Sequence, residues 1–140
     1  MYEIISDLWI CKNKNLKKIN MRNIIHINCE KDLIYVNRYK QYNLNMQQTI
    51  IKEDIVKAYL YIKDKIDIIN LKLKQNELII ISCDTCETLS PLLINCFLIK
   101  YGKMNIQETI LCLESKTGIT IKDDIFFNSI IKKVYDNSKK

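Results

Sequence analysis

Histidine and arginine are nearly absent from this sequence: His26 is the only histidine, and arginine occurs only at Arg22 and Arg38. Cys83 and Cys86 form a C-x-x-C pair, but a zinc site would also need a second pair or nearby histidines. Nucleic-acid surfaces interleave basic and aromatic side chains, and no segment of the sequence does so. We therefore expect no metal, no other cofactor and no nucleic-acid partner.

Long apolar runs are also lacking. No stretch is long enough to cross a bilayer, so we expect no membrane association, and we also expect no signal peptide. Several of the six cysteines lie inside apolar runs, as buried free thiols do. A reducing, cytoplasmic location is the expectation that follows. The net charge of +6 comes largely from short lysine clusters, which we interpret as a solvated surface.

The length of 140 residues predicts a single domain over 1–140 that is large enough to bury a core. Apolar residues make up 48% of the chain, which is ordinary for a globular protein and argues against disorder. The aromatic side chains of Trp9, Phe97, Phe126 and Phe127 are interpreted as core.

Five segments have the pattern of strands. Four of them cover residues 2–5, 8–11, 23–28 and, more weakly, 39–46. The fifth, residues 78–82, is apolar almost throughout, which suits a central parallel strand covered on both faces. A short polar segment at 13–20 is expected to form one or two helical turns.

Four helices are predicted from apolar spacing and cap residues. They cover residues 54–73, 91–101 and 105–115, with a last one ending near residue 135. Asp54 is the expected N-cap of the first, and Asp123 or Asp124 of the last. Pro91 is expected at the first position of the second helix, and residues 137–140 are expected to fray. The order of elements predicts an α/β fold with a mixed central sheet flanked by helices and a helical C-terminal half.

The segment from Leu78 to Pro91 runs from a strand through a polar loop into a helix start. Backbone N–H groups and the helix dipole converge at such a place, which makes it a ready anion site. A cysteine at the start of the loop, here Cys83, is then placed as a nucleophile.

This segment resembles the phosphate-binding loop of the dual-specificity phosphatases, His-Cys-x5-Arg-Ser/Thr at the end of a buried strand. The chain has Ser82-Cys83, five residues, and then Leu89-Ser90. Asp7-Leu-Trp-Ile-Cys-Lys, Asn23-Ile-Ile-His-Ile-Asn and Asp54-Ile-Val-Lys-Ala-Tyr resemble other family segments in the same order. The resemblance covers almost the whole chain, is greatest to small poxvirus-type members, and implies the dual-specificity phosphatase fold.

The departures from the family loop bear on activity. Leu89 stands where the family has the arginine that holds two phosphate oxygens, and it offers no donor. Cys86 replaces a glycine that allows close backbone approach. Asp84 and Glu87 add carboxylates to a loop that should receive a dianion. Ser82 replaces the histidine before the nucleophile.

The general acid of the family also lacks a counterpart. Gln47 or Gln48 falls near its place, and glutamine cannot protonate a leaving oxygen. Asp54 is the nearest acid, but the helix-cap role is the one we assign to it. Cys83 is interpreted as an inert loop thiol, and His26 as a core histidine.

The sequence therefore predicts a catalytically inactive phosphatase-like protein, a pseudophosphatase, that binds proteins or serves as a structural or regulatory component. The alternative is a weakly active or altered cysteine-dependent phosphatase that uses Cys83. The expected partner is a protein or a second copy of the chain, in the cytoplasm or, for a viral protein, in the host cytoplasm or the virion. The degenerate phosphate loop comprises Cys83, Asp84, Thr85, Cys86, Glu87, Thr88, Leu89 and Ser90.

Overall fold

A mixed five-stranded sheet forms the centre of the computed structural model, which describes residues 1–18, 24–29, 40–43, 52–83, 89–122 and 124–138. The strands are β1 (Tyr2–Ile5), β2 (Leu8–Lys12), β3 (Ile24–Asn28), β4 (Lys40–Asn43) and β5 (Leu78–Cys83), in the order β1-β2-β5-β3-β4. Only β1 is antiparallel to its neighbour. The predicted mixed sheet is confirmed, with β5 at its centre between β2 and β3.

The two faces of the sheet bury different amounts of apolar surface. Ile79, Ile81 and Cys83 of β5 belong to the main core, which the helices cover. Ile80, from the opposite face, belongs to a small cluster with Leu16 of a 3-10 helix at Asn13–Lys18. Successive residues of a strand point to opposite faces, so a strand covered on both sides is apolar at nearly every position.

The helices lie on the main-core face. They are α1 (Lys52–Lys74), α2 (Leu89–Lys100), α3 (Ile106–Thr117) and α4 (Ile125–Ser138). All residues of α2 from Ser90 to Ile99 are buried, since α1, α3, α4 and β5 all pack against it. A helix enclosed in this way is apolar all round rather than on one stripe. None of the helices in the described parts of the chain is long and apolar enough to cross a membrane.

Local cap signals account for the helix ends around α3 and α4. The Asn105 side chain accepts from the backbone N–H of Glu108 at 2.8 Å and closes a capping box. Gly118 ends α3 with φ of 69°, a conformation that glycine adopts without strain. Asp124 accepts from the N–H of Phe127 at 2.8 Å, so Asp124 caps α4, while Asp123 lies outside the described residues.

Two expectations about helix starts were wrong. Helix α1 begins at Lys52, so Asp54 lies within its first turn instead of capping it. Together with Glu53 it places negative charge at the positive end of the helix dipole. Helix α2 begins at Leu89, which makes Pro91 its third residue rather than its first. Proline is tolerated there because the first-turn N–H groups have no partner within the helix.

The expected fraying of the C-terminus was wrong for Asn137 and Ser138. Both belong to α4, and the Asn137 amide donates to the Tyr59 hydroxyl at 2.6 Å. This contact joins the last turn of α4 to α1, and it explains why the helix continues beyond Tyr135.

Candidate functional site

Cys83 is the last residue of the central strand. It pairs with Lys12 of β2, and the N–H of Cys29 donates to the Ser82 carbonyl at 2.9 Å, which extends the pairing with β3 by one residue. Cys83 is only 2% exposed. The expected loop position of Cys83 was therefore wrong, because Cys83 pairs with β2 and its neighbour Ser82 pairs with β3, which keeps Cys83 within the sheet.

The thiol of Cys83 contacts the start of α2. Its Sγ atom lies 2.7 Å from the hydroxyl Oγ of Ser90, the second residue of that helix, and both side chains are buried. The structure thus brings together the nucleophile position and the hydroxyl position of the predicted loop. Either group can be the donor, so the hydroxyl is placed to donate to a thiolate as well as to accept from a thiol.

Leu89 is the first residue of α2, and its half-buried side chain packs against the main core. An aliphatic side chain cannot donate a hydrogen bond or carry positive charge. At this position the chain therefore lacks the paired N–H donors with which a guanidinium binds two oxygens of a phosphate.

A second buried polar pair lies on the opposite face of the sheet. The Nε2 atom of His26 is 2.7 Å from the hydroxyl Oγ of Ser82, and both residues are fully buried. His26 is thus a hydrogen-bonded core histidine, as predicted. Ser82 directs its hydroxyl toward this histidine, whereas Cys83 packs toward the helices.

The remaining predicted site residues divide into two groups. Asp54 is exposed on the first turn of α1. The others lie outside the described residues: Gln47, Gln48, Asp84, Thr85, Cys86, Glu87 and Thr88. Across the described ranges, no three His, Cys, Asp or Glu side chains are grouped closely enough to hold a metal ion.

Comparison with solved structures identifies the architecture. Human DUSP28 superposes with a TM-score of 0.79 at 6% identity, over 99% of this chain and 98% of that one. The human tyrosine phosphatase-like serine/threonine/tyrosine-interacting protein gives 0.79 at 11%, over 100% and 98%. The chain has the dual-specificity phosphatase fold. A leucine-rich-repeat and phosphatase-domain protein of Entamoeba histolytica gives 0.79 at 14%, over 99% and 92%. No protein-family model matches the sequence, and no curated protein matches it.

Burial raises the pKa of cysteine thiols in this dual-specificity phosphatase fold. Desolvation raises the pKa of the Cys11 thiol to about 12, with a further increase from neighbouring Cys83, against a lowering by the N-terminal amine. Burial also raises the pKa of Cys96. Cys112, in contrast, is partly exposed. Since the thiolate is the reactive form and burial disfavours it, we expect the more buried thiols to react more slowly.

We expect iodoacetamide to modify Cys112 of the native protein well before Cys11, Cys83 or Cys96. At pH 8 the Cys11 thiol, with a pKa of about 12, is a thiolate in only about one molecule in ten thousand, and burial of Cys83 and Cys96 limits access of the reagent. Mass spectrometry of peptides after timed labelling measures the order, and labelling in denaturant is the control in which all these thiols react. Early modification of Cys83 in the native protein would contradict the buried position.

Sequence reasoning missed a polar cluster at the far end of α2. Lys100 donates to Asp67 at 2.7 Å, and the Tyr101 hydroxyl donates to the same oxygen. Burial alone would raise the pKa of Asp67, but these bonds and the charges of Lys100 and Lys63 hold it below its ordinary value. Asp67 and Lys100 are 33 positions apart, so no local signal in the sequence indicates their contact.

Proposed function

We propose that this protein is a pseudophosphatase: it keeps the dual-specificity phosphatase fold and acts by binding protein rather than by hydrolysing phosphate esters. The position of Leu89 is the observation that carries the proposal. The residue begins the helix that follows Cys83, and its aliphatic side chain packs against the core. Transferring phosphoryl groups carry charge on several oxygens, and a loop without the guanidinium has lost a main source of stabilisation for that charge.

The residues between Cys83 and Leu89 and those before α1 support the same conclusion. Asp84 and Glu87 add two carboxylates to a segment that would have to receive a dianion, and like charges at close range are costly. Gln47 and Gln48 occupy the region where an acid would protonate the leaving group. The two carboxylates weaken the binding of phosphate, and the two glutamines weaken the cleavage of the ester bond.

A protein-binding role agrees with one of the proteins that share the fold. The human tyrosine phosphatase-like protein is named for its interaction with serine, threonine and tyrosine, and the present chain superposes on 98% of its length. We infer a comparable use of the fold here, as a binding or regulatory component with a protein partner or a second copy of the chain.

The hydrogen-bonded pair of Cys83 and Ser90 favours a second candidate. A thiol 2.7 Å from a buried hydroxyl retains one element of an activated nucleophile. A weakly active or altered cysteine-dependent phosphatase is therefore the alternative, in which another cation near the loop replaces the missing arginine.

Turnover of p-nitrophenyl phosphate and of phosphotyrosine peptides separates the two candidates. We expect the wild-type protein and Cys83→Ser to show the same background rate. The substitution removes only the thiol, and the proposal assigns no turnover to that thiol. A mouse protein of this fold was crystallised in complex with zinc tungstate. We expect tungstate not to bind to the present protein in a titration. Turnover that exceeds the background and disappears in Cys83→Ser would establish the enzymatic alternative.

The variant Leu89→Arg is expected to remain without turnover. One arginine supplies the missing donors, but the carboxylates of Asp84 and Glu87 and the absent acid are unchanged. General acid catalysis alone accounts for about 10²- to 10⁴-fold in rate. The same assay measures the result, with Leu89→Met as a control for the packing of the helix start. Activity in Leu89→Arg that is lost in the double variant with Cys83→Ser would show that the loop needs only its arginine.

A further inference from the structure

A pocket of about 360 Å³ opens on the helical side of the molecule, between α1, the end of α2 and the last turns of α4. Ile66 and Val134 line its floor, where they are 1% and 4% exposed. The volume is within the range of small-molecule sites. Ser90, which contacts Cys83, and Lys100, which lines the pocket, are ten residue steps apart along α2, a distance of about 15 Å. The pocket is therefore independent of the Cys83–Ser90 pair.

Hydrogen bonds hold the polar rim of the pocket in place. The Asn137 amide donates to the Tyr59 hydroxyl at 2.6 Å, so this hydroxyl keeps its own proton for a further acceptor. The Ser138 hydroxyl donates to the Tyr135 carbonyl at 2.8 Å, which satisfies one of the free carbonyls at the end of α4. The rim thus presents a phenolic donor and shields part of the negative end of the helix.

Among the residues that the structure describes around the pocket, the charges do not balance. Lys100 is paired with Asp67 at 2.7 Å. Lys63 also lines the pocket, and it forms no ion pair with any residue that the structure describes. Two ammonium groups against one carboxylate leave a surplus of one positive charge. That surplus matches a monoanion, whereas a phosphate dianion would exceed it.

We propose that this pocket binds a small monocarboxylic acid with an apolar body. Lys63 and the Tyr59 hydroxyl bind its carboxylate, with Lys100 beside them, and Ile66 and Val134 contact its hydrocarbon part. Charge-assisted hydrogen bonds from an ammonium and a phenol orient the carboxylate and supply most of the affinity, because Ile66 and Val134 have little exposed surface left to bury.

Titration of the whole protein with benzoate tests the proposal, followed by ¹H–¹⁵N NMR. We expect saturable shift changes centred on Tyr59, Lys63, Lys100 and Asn137. Lys63→Gln should weaken benzoate binding at least about fivefold, as loss of a charged donor does. Tyr59→Phe should weaken it by a smaller factor. Lys116→Gln, the same change at an exposed lysine of α3, is the matched control and should bind like the wild type.

Two comparison ligands make the charge argument decisive. Benzyl alcohol carries the same ring without a charge, and phenyl phosphate carries the same ring with a doubly charged group. Both should bind more weakly than benzoate. The absence of saturable shifts at these residues would overturn the proposal. So would equal affinity for benzyl alcohol, or an equal loss in Lys116→Gln and Lys63→Gln, because the bound group would then not be recognised by its carboxylate.

Discussion

Replacement of Ile81 by alanine is expected to lower the free energy of unfolding by about 2 to 5 kcal/mol. Ile81 is fully buried at the middle of β5, directly between Ile10 of β2 and Ile27 of β3. All three side chains belong to the main core beneath the helices. Neighbouring strands and helices hold this region on every side, so it can collapse little around the missing atoms, and a cavity remains.

The matched control is the same substitution at Ile125. This isoleucine is the first residue of α4 and is 68% exposed. Exposed substitutions of this kind change stability by about 0.5 kcal/mol or less. Urea denaturation of the wild type and both variants, followed by circular dichroism, measures the difference. Similar losses in the two variants would contradict the central position of β5.

The fold was predictable where the decisive signals are local. An apolar run of strand length identifies β5, and the capping residues Asn105, Gly118 and Asp124 mark the ends of α3 and α4. The glycine at position 102 also has a local steric reason, since a Cβ atom there would lie 2.6 Å from the carbonyl oxygen of Leu98. Each of these features depends on residues within a few positions of each other, so the sequence states it directly.

Apart from the two helix starts, the errors fall where contacts between distant residues decide. The pattern could not show that α4 continues to Ser138, because the stabilising contact of Asn137 is with Tyr59, 78 residues earlier. Nor could it show that Cys83 is buried, which depends on pairing with β2 and β3. The missing donor at Leu89 was predictable in another way, since it is a property of the side chain itself. The pocket near Lys63 had no such local signature.

Substitution of Ser82 by alanine is expected to lower the free energy of unfolding by about 1 to 3 kcal/mol. Its hydroxyl lies 2.7 Å from His26 Nε2, and neither residue is exposed to solvent. Removal of the hydroxyl takes a partner from a buried imidazole nitrogen without giving that nitrogen access to water. The loss then reflects the desolvation of the imidazole rather than the small volume removed.

Ser90→Ala is the matched control, because Ser90 is equally buried but is bonded to the Cys83 thiol. A thiol is a weak hydrogen-bonding group, and alanine favours a helix more than serine does, so the loss should stay below about 1 kcal/mol. A double-mutant cycle of Ser82→Ala with His26→Ala cancels the effect that each substitution has independently of the other residue, including the cavity it leaves. We expect the remaining coupling energy between the two side chains to be about 1 kcal/mol or more. Chemical denaturation of the four proteins in the cycle gives that energy. A coupling energy near zero would mean that the pair does not hold the two strands together. In that case the bond to His26 would not explain why Ser82 stands where the phosphatase loop has histidine.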